Sequence, residues 1–133
     1  MDINIPEVVA EVTAAFDRYE RALLSNDVAV LDEIFHEDAR TIRYGSTEIL
    51  YGFGEIAAFR AARSAAGLAR TISRTVITTY GREFAVASTL FHRTTLPGKV
   101  GRQMQTWVRF PEGWRVVAAH VSVIGEDTVW KKP

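Results

Sequence analysis

The second half of the chain constrains the fold most, because from residue 70 onward it holds only strand-forming runs separated by tight turns. The runs cover residues 70–80, 84–93, 102–110 and 114–123 and are rich in the β-branched and aromatic residues that favour strands. Short segments containing Gly or Pro separate most of them, which predicts an antiparallel meander of four strands. Such a sheet needs apolar helices to cover one of its faces.

The N-terminal segment supplies the longest of these helices. Residues 25–27, Ser-Asn-Asp, interrupt its pattern and can cap a short second helix. A third helix is predicted over residues 54–66, with Gly67 as its stop signal. The first helix shows one apolar stripe, in which side chains recur every three or four residues at Val8, Val12, Phe16, Tyr19 and Leu23.

A short hairpin is predicted between the second and third helices, with strands over residues 39–44 and 47–51. The whole pattern indicates an α+β fold, in which a strongly curved, mixed or antiparallel sheet wraps around the long N-terminal helix as a cone. Side chains cannot fill the wide end of a cone, so we expect a pocket for a small ligand between helix and sheet.

Length and composition place the chain among ordinary globular proteins. Its 133 residues predict one domain over residues 1–133, with a loosely held tail at residues 126–133. Lys+Arg and Asp+Glu are both 16, which argues against nucleic-acid binding. There is no cysteine for a disulfide or a thiol nucleophile. With no signal-peptide pattern and no long apolar run, we expect a cytoplasmic protein without a membrane span.

Two residues could carry chemistry in the pocket, and each has an ordinary alternative. Tyr19 is either a core tyrosine with one hydrogen-bond partner or a phenol that points into the pocket. Arg43 alternates with apolar neighbours in the first hairpin strand, so it is either solvated outside or directed inward. A buried guanidinium would need an anion, from Glu48, Glu55 or a substrate.

Further candidates for substrate binding lie on the third helix and the last two strands. Arg60 and Arg63 share the helix face of Ile56 and Phe59, where they either snorkel to solvent or form a rim that attracts an anion. One face of the third meander strand carries Gln103, Gln105 and Trp107, which either line the pocket or form an interface with another subunit. On the last strand His120 shares a face with Ser122 and is either a pocket residue or a core histidine with satisfied hydrogen bonds.

The remaining titratable residues give weaker signals. His36, His92 and His120 lack the spacing of a metal-ligand motif, so we expect no zinc site. Asp38 precedes the first hairpin strand and could act as a general base, although a turn role is more usual at such a position.

The order of elements, with the hairpin ending in YGFGEI, resembles the nuclear-transport-factor-two-like (SnoaL-like) superfamily of cystatin-like cone folds. A narrower resemblance covers residues 16–122. The strings AAFDRYERALLSNDVAVLDEIF, RTIRYGSTEILYG, IAAFRAARSAAGLAR and GRQMQTWVRFPEGWRVVAAHVS are similar to the AtzH-type proteins of cyanuric acid breakdown and the related HpxZ proteins of oxalurate catabolism.

This narrower resemblance implies a site and an activity. In that family a tyrosine on the first helix and an arginine before the Tyr-Gly of the hairpin form the active-site pair, which corresponds to Tyr19 and Arg43 here. The implied substrates are carboxylated ureas such as 1,3-dicarboxyurea, converted to allophanate without a metal or organic cofactor. Arg43 would anchor the anion and Tyr19 would donate a proton or orient the substrate. A hydrolytic route, with water attacking the urea carbonyl, would use the same two residues.

Two other functions remain open on the sequence. The chain could be a non-catalytic subunit that binds a small acid or pairs with an amidohydrolase partner. It could also be an isomerase or dehydratase with Asp38 or His120 as the base, although the arginines argue against a neutral apolar substrate. In every case we expect a homodimer, because the outer face of a cone sheet carries apolar and aromatic residues.

Overall fold

The computed structural model describes residues 1–127, so most of the tail predicted to be loosely held lies outside the described residues. The elements follow the predicted order of three helices, a hairpin between the second and third, and a meander of four strands. They are α1 Pro6–Leu24, α2 Val28–Ile34, β1 Ile42–Tyr44, β2 Ile49–Tyr51, α3 Phe53–Ala62, β3 Thr71–Tyr80, β4 Phe84–His92, β5 Lys99–Phe110 and β6 Gly113–Gly125.

The six strands form one mixed sheet in the order β2-β1-β6-β5-β4-β3. All neighbours are antiparallel except β1 and β6, which are parallel. The sheet does not close on itself, and β2 and β3 are its edges. Register shifts between Ser73 and Val76 and between Thr106 and Trp107 are of the kind that bends a sheet. The predicted α+β class, with a sheet curved around the N-terminal helix, is confirmed.

α1 begins at Pro6, whose missing N–H costs nothing in the first helical turn. Its predicted apolar stripe is buried against the sheet. Three hydrogen bonds fix its direction: the Trp114 indole donates to Glu11 over 3.0 Å, and Arg70 donates to Glu20 over 2.6 and 3.0 Å. The N-terminal half of α1 therefore lies near the start of β6, and its C-terminal half lies near the start of β3.

α3 ends four residues earlier than predicted, and Gly67 is not its stop signal. Arg63 is already extended, with φ −74° and ψ 135°, and the Ser64 hydroxyl accepts a hydrogen bond from the Ala66 N–H. Such local side-chain bonds compete with helical ones. Arg63 therefore follows the helix instead of sharing its face with Arg60.

No helix within residues 1–127 is both long and apolar enough to cross a membrane.

Candidate functional site

Arg43 projects into the interior between the sheet and the helices. Its side chain is only 9% exposed, whereas the next residue, Tyr44, lies on the outer face of β1. Across the hairpin, Glu48 accepts a hydrogen bond of 2.5 Å from Nη1 of Arg43. Burial alone would raise the pKa of Glu48, but hydrogen bonds from Thr47 and Arg43 more than offset this and hold it below its ordinary value.

Gly45 makes the Arg43–Glu48 ion pair possible. A Cβ atom at Gly45 would lie 1.7 Å from the Glu48 carboxylate and 2.9 Å from Nη1 of Arg43. Only a residue without a side chain leaves room for the pair to cross the turn. The single ion-pair contact of Arg43 uses one of its nitrogens, so much of the guanidinium fork remains available to bind a planar anion.

Tyr19 faces the same interior from α1. Its side chain is buried, and its ring lies 6.4 Å from that of Phe35, centroid to centroid. Its hydroxyl makes no hydrogen bond to any residue from 1 to 127. Burial lowers the pKa of Arg60, Arg63 and Arg93, and the negative charge of an ionised Tyr19 would act on all three in the opposite direction. A core tyrosine would be expected to pair its hydroxyl.

Arg60 and Arg63 both reach this region, but their charges are compensated differently. Arg60 is buried, donates to Asp32 over 3.0 Å and lies 4.4 Å from the Phe35 ring centroid. Arg63 forms no ion pair within residues 1–127, and its buried Nε has no hydrogen-bond acceptor. Burial, and then the charge of Arg43, lower the pKa of Arg63.

Two further arginines complete the cluster, and the sequence reasoning did not assign either to the site. Arg70 pairs with Glu20 through two nitrogens and also donates to the Gln103 side chain over 3.0 Å. Arg93 follows β4, and its buried Nε has no acceptor among the described residues. Burial, and then the charge of Arg70, lower the pKa of Arg93. In sequence these are ordinary arginines at strand ends, so no pattern distinguishes them.

Gln103, Gln105 and Trp107 line the inner face of β5, and all three are at most 2% exposed. The Gln103 carbonyl accepts from Arg70, and the Gln105 carbonyl accepts from the Trp107 indole over 3.1 Å. Both amide nitrogens remain without acceptors in the part of the chain that the structure describes. Trp107 itself belongs to the apolar core, and its indole N–H fixes the orientation of the Gln105 amide.

The structure does not bring His120 and Ser122 into this cluster. Both alternate with the inward Ala119 and Val121 positions of β6, so they project from the outer face, where Ser122 accepts from Arg102. The prediction that His120 and Ser122 line the pocket is wrong, because the side chains of β6 that point inward are those of Ala119 and Val121, one position earlier in each case. His120 instead borders an outer cleft of about 420 Å³.

Asp38 is occupied in a turn. Its carboxylate accepts from the backbone and side chain of Arg40 over 2.7 to 2.9 Å, and these bonds hold its pKa well below its usual range. A carboxylate so strongly stabilised in its charged form is a poor general base. Within residues 1–127, no three His, Asp or Glu side chains converge as a metal-ligand set would.

Comparison with known proteins gives matches along nearly the whole length of the chain. The profile of the AtzH-like family matches residues 1–127. A solved structure of a protein with unknown function from the DUF3225 family of Pectobacterium atrosepticum is 63% identical, with 93% of this chain and 96% of that chain covered and a TM-score of 0.91. None of the curated proteins compared with the chain matches it.

Two other solved structures extend this likeness. A cystatin-like fold protein from Burkholderia xenovorans is 45% identical, covers 94% of this chain and 98% of its own, and has a TM-score of 0.90. A nuclear transport factor 2-like superfamily protein from Salmonella enterica is 24% identical, covers 96% and 98%, and has a TM-score of 0.73. The second likeness shows the fold alone, and that fold agrees with the predicted cone.

Proposed function

The chain belongs to the AtzH-like family, and on that premise we propose that it is an enzyme that removes carbon dioxide from a small carboxylated urea, converting 1,3-dicarboxyurea to allophanate. One observation carries the proposal. Tyr19 and Arg43 are both buried and face one interior, in which guanidinium groups outnumber the carboxylates that pair with them. Such an interior is suited to a small anion.

The chemistry requires an anchor for the carboxylate and a proton for the nitrogen. Arg43 can hold the substrate anion through the nitrogens that Glu48 leaves free. Tyr19 can give its phenolic proton to the nitrogen of the departing N-carboxylate. The carbon–nitrogen bond then breaks with its electron pair on nitrogen, carbon dioxide leaves, and solvent returns the proton to Tyr19. The net change is consumption of one proton and loss of one negative charge from the urea.

Turnover of enzymatically generated 1,3-dicarboxyurea tests the proposal, with allophanate and carbon dioxide both followed. We expect wild-type activity, a loss of at least about a hundredfold in Arg43→Ala, and a loss of at least about tenfold in Tyr19→Phe. Arg102→Ala is the matched control, because that arginine lies on the outer face of the sheet. Wild-type rates in both site variants would show that the assignment is wrong.

Two further measurements separate the competing functions. Attack of water on the urea carbonyl would break the urea itself and yield no allophanate, so product analysis distinguishes hydrolysis from decarboxylation. A wild-type chain that is inactive alone but active in a stable complex with an amidohydrolase would favour the accessory-subunit function.

Because Arg43→Ala leaves Glu48 without its ion-pair partner, the double variant Arg43→Met with Glu48→Gln controls for a folding defect.

A further inference from the structure

Two phenylalanine rings organise the interior arginines into pairs. The guanidinium carbons of Arg43 and Arg63 lie 5.5 and 5.6 Å from the centroid of Phe59. Those of Arg70 and Arg93 lie 4.7 and 4.6 Å from the centroid of Phe91. We name these groups the Phe59 half-site and the Phe91 half-site.

Each half-site has the same charge composition. In the Phe59 half-site, Glu48 pairs with Arg43, and no carboxylate among residues 1–127 pairs with Arg63. In the Phe91 half-site, Glu20 pairs with one of the two arginines, and no described carboxylate pairs with the other, Arg93. Each therefore holds two guanidiniums against one carboxylate, which leaves one positive charge uncompensated on each side.

Unpaired hydrogen-bond donors accompany both excess charges. Nε of Arg63 and Nε of Arg93 are buried without acceptors, and so are the amide nitrogens of Gln103 and Gln105 within the described part of the chain. The two glutamine carbonyls are already occupied, so the orientation of both amides is fixed. All four groups can donate but cannot accept, and buried donors of this kind call for ligand oxygens.

Helix α1 adjoins both half-sites. The Tyr19 ring lies 6.4 Å from the Phe35 ring, and the guanidinium of Arg60, which follows Phe59 in the chain, lies 4.4 Å from that same ring. The next residue of α1, Glu20, is the carboxylate of the Phe91 half-site.

We propose that the two half-sites bind the two ends of one dianionic substrate, with Arg63 and Arg93 as the residues that make this interior specific for two anionic groups. This inference rests on the proposed function and deepens it. Loss of one carboxylate converts the dianion to a monoanion, which can satisfy only one half-site. The same arrangement therefore favours substrate binding and weakens the hold on the product.

Equilibrium binding to the intact protein tests the inference without turnover. Glutarate has two carboxylates at the spacing of 1,3-dicarboxyurea, and glutaramate has the same length with one carboxylate replaced by an amide. We expect the wild type to bind glutarate about ten- to a hundredfold more tightly than glutaramate, because a charge-assisted contact to the second carboxylate is lost in the amide. Malonate and succinate extend the test to shorter spacings.

Substitution assigns the preference to residues. Arg63→Gln and Arg93→Gln should each reduce the preference for glutarate, and the double variant should bind the two compounds equally. Arg102→Gln, on the outer face, should keep the wild-type preference. Without ligand, each interior variant should keep or raise the melting temperature because it removes an uncompensated charge, whereas a purely structural arginine would lower it.

The outcomes separate this inference from the function on which it rests. Equal binding of glutarate and glutaramate, no binding of any of the three dicarboxylates, or a preference that survives in the double variant would overturn it. A chain that prefers glutarate through Arg63 and Arg93 but does not turn over 1,3-dicarboxyurea would support the two half-sites and contradict the decarboxylase. A chain that turns over 1,3-dicarboxyurea but binds glutarate and glutaramate equally would support the decarboxylase and contradict the two half-sites.

Discussion

The two ends of the interior rest on the same helix and the same strand, yet they have opposite character. On α1, Phe16 and Tyr19 both belong to the buried core cluster. The Phe16 ring is wholly apolar, whereas the Tyr19 ring, one turn later, carries a hydroxyl and packs near Phe35, over which the Arg60 guanidinium lies. On β5, Trp107 is packed in that core, while Gln103, four residues earlier on the same face, has an amide nitrogen without an acceptor among residues 1–127. The comparison separates an apolar end, which stabilises the fold, from an arginine-rich end, for which we propose ligand binding.

The largest effect should come from the apolar end. Phe16 is 1% exposed, and Phe16→Ala should lower the free energy of unfolding by about 3–5 kcal/mol because it leaves a cavity. Tyr19→Phe is the matched control, since it removes a hydroxyl that has no described partner and should change stability by less than about 1 kcal/mol. Denaturant unfolding of both variants would measure this. Equal losses would abolish the distinction between the two ends.

The next effect concerns the arginines that are paired. Glu20→Gln leaves the Arg70 guanidinium, whose side chain is 1% exposed, without its carboxylate, and should cost about 3 kcal/mol of unfolding free energy. Glu7→Gln removes an exposed partner of Arg82 and should cost no more than about 1 kcal/mol. A Glu20→Gln variant as stable as the wild type would mean that this ion pair does not stabilise the arginine end.

A smaller effect should follow from filling the space beneath Phe91. A Cβ atom at Gly101 would lie 2.1 Å from the Phe91 ring, so Gly101→Ala should cost about 1–3 kcal/mol through overpacking. It should also weaken glutarate binding, because the ring holds two arginines. Gly54→Ala meets nothing within 4 Å and should stabilise α3 by up to about 1 kcal/mol. Calorimetry of the two variants gives the comparison.

Acid should affect the arginine end through Glu48. The pKa of Glu48 is lowered in the folded chain, so its contribution to stability is complete above the unfolded value of 4.5 and is lost as the pH falls through the lowered value. Unfolding free energies measured from pH 6 to 2 should therefore fall less steeply in Glu48→Gln than in wild type. Parallel curves would show that the folded chain does not stabilise the ionised Glu48 carboxylate.

The smallest effect on stability is expected on the outer face, where the homodimer remains a prediction. One row across that face contains Val76, Met104, His120, Tyr44 and Ile49, and all five are exposed. Met104→Lys should shift a wild-type dimer toward monomer in light scattering at micromolar concentration and leave turnover per chain unchanged. A monomeric wild type would contradict the prediction.

The periodic parts of the fold could be predicted from the sequence. The stripe through Phe16 and Tyr19 identified α1, and the alternating strand runs identified the meander, because helical and strand periods depend on local geometry. The end of α3 was missed at Arg63, where a local Ser64 hydrogen bond outweighs a helix-forming composition.

The sequence by itself determined the class of fold, the family and the pair of Tyr19 and Arg43 as candidates. Only the tertiary structure decided that Arg43 points inward, that His120 and Ser122 point outward, and that Arg93 joins the site. Sheet register and the convergence of distant arginines decide these points. Both depend on contacts between residues far apart in the chain, which no local pattern encodes.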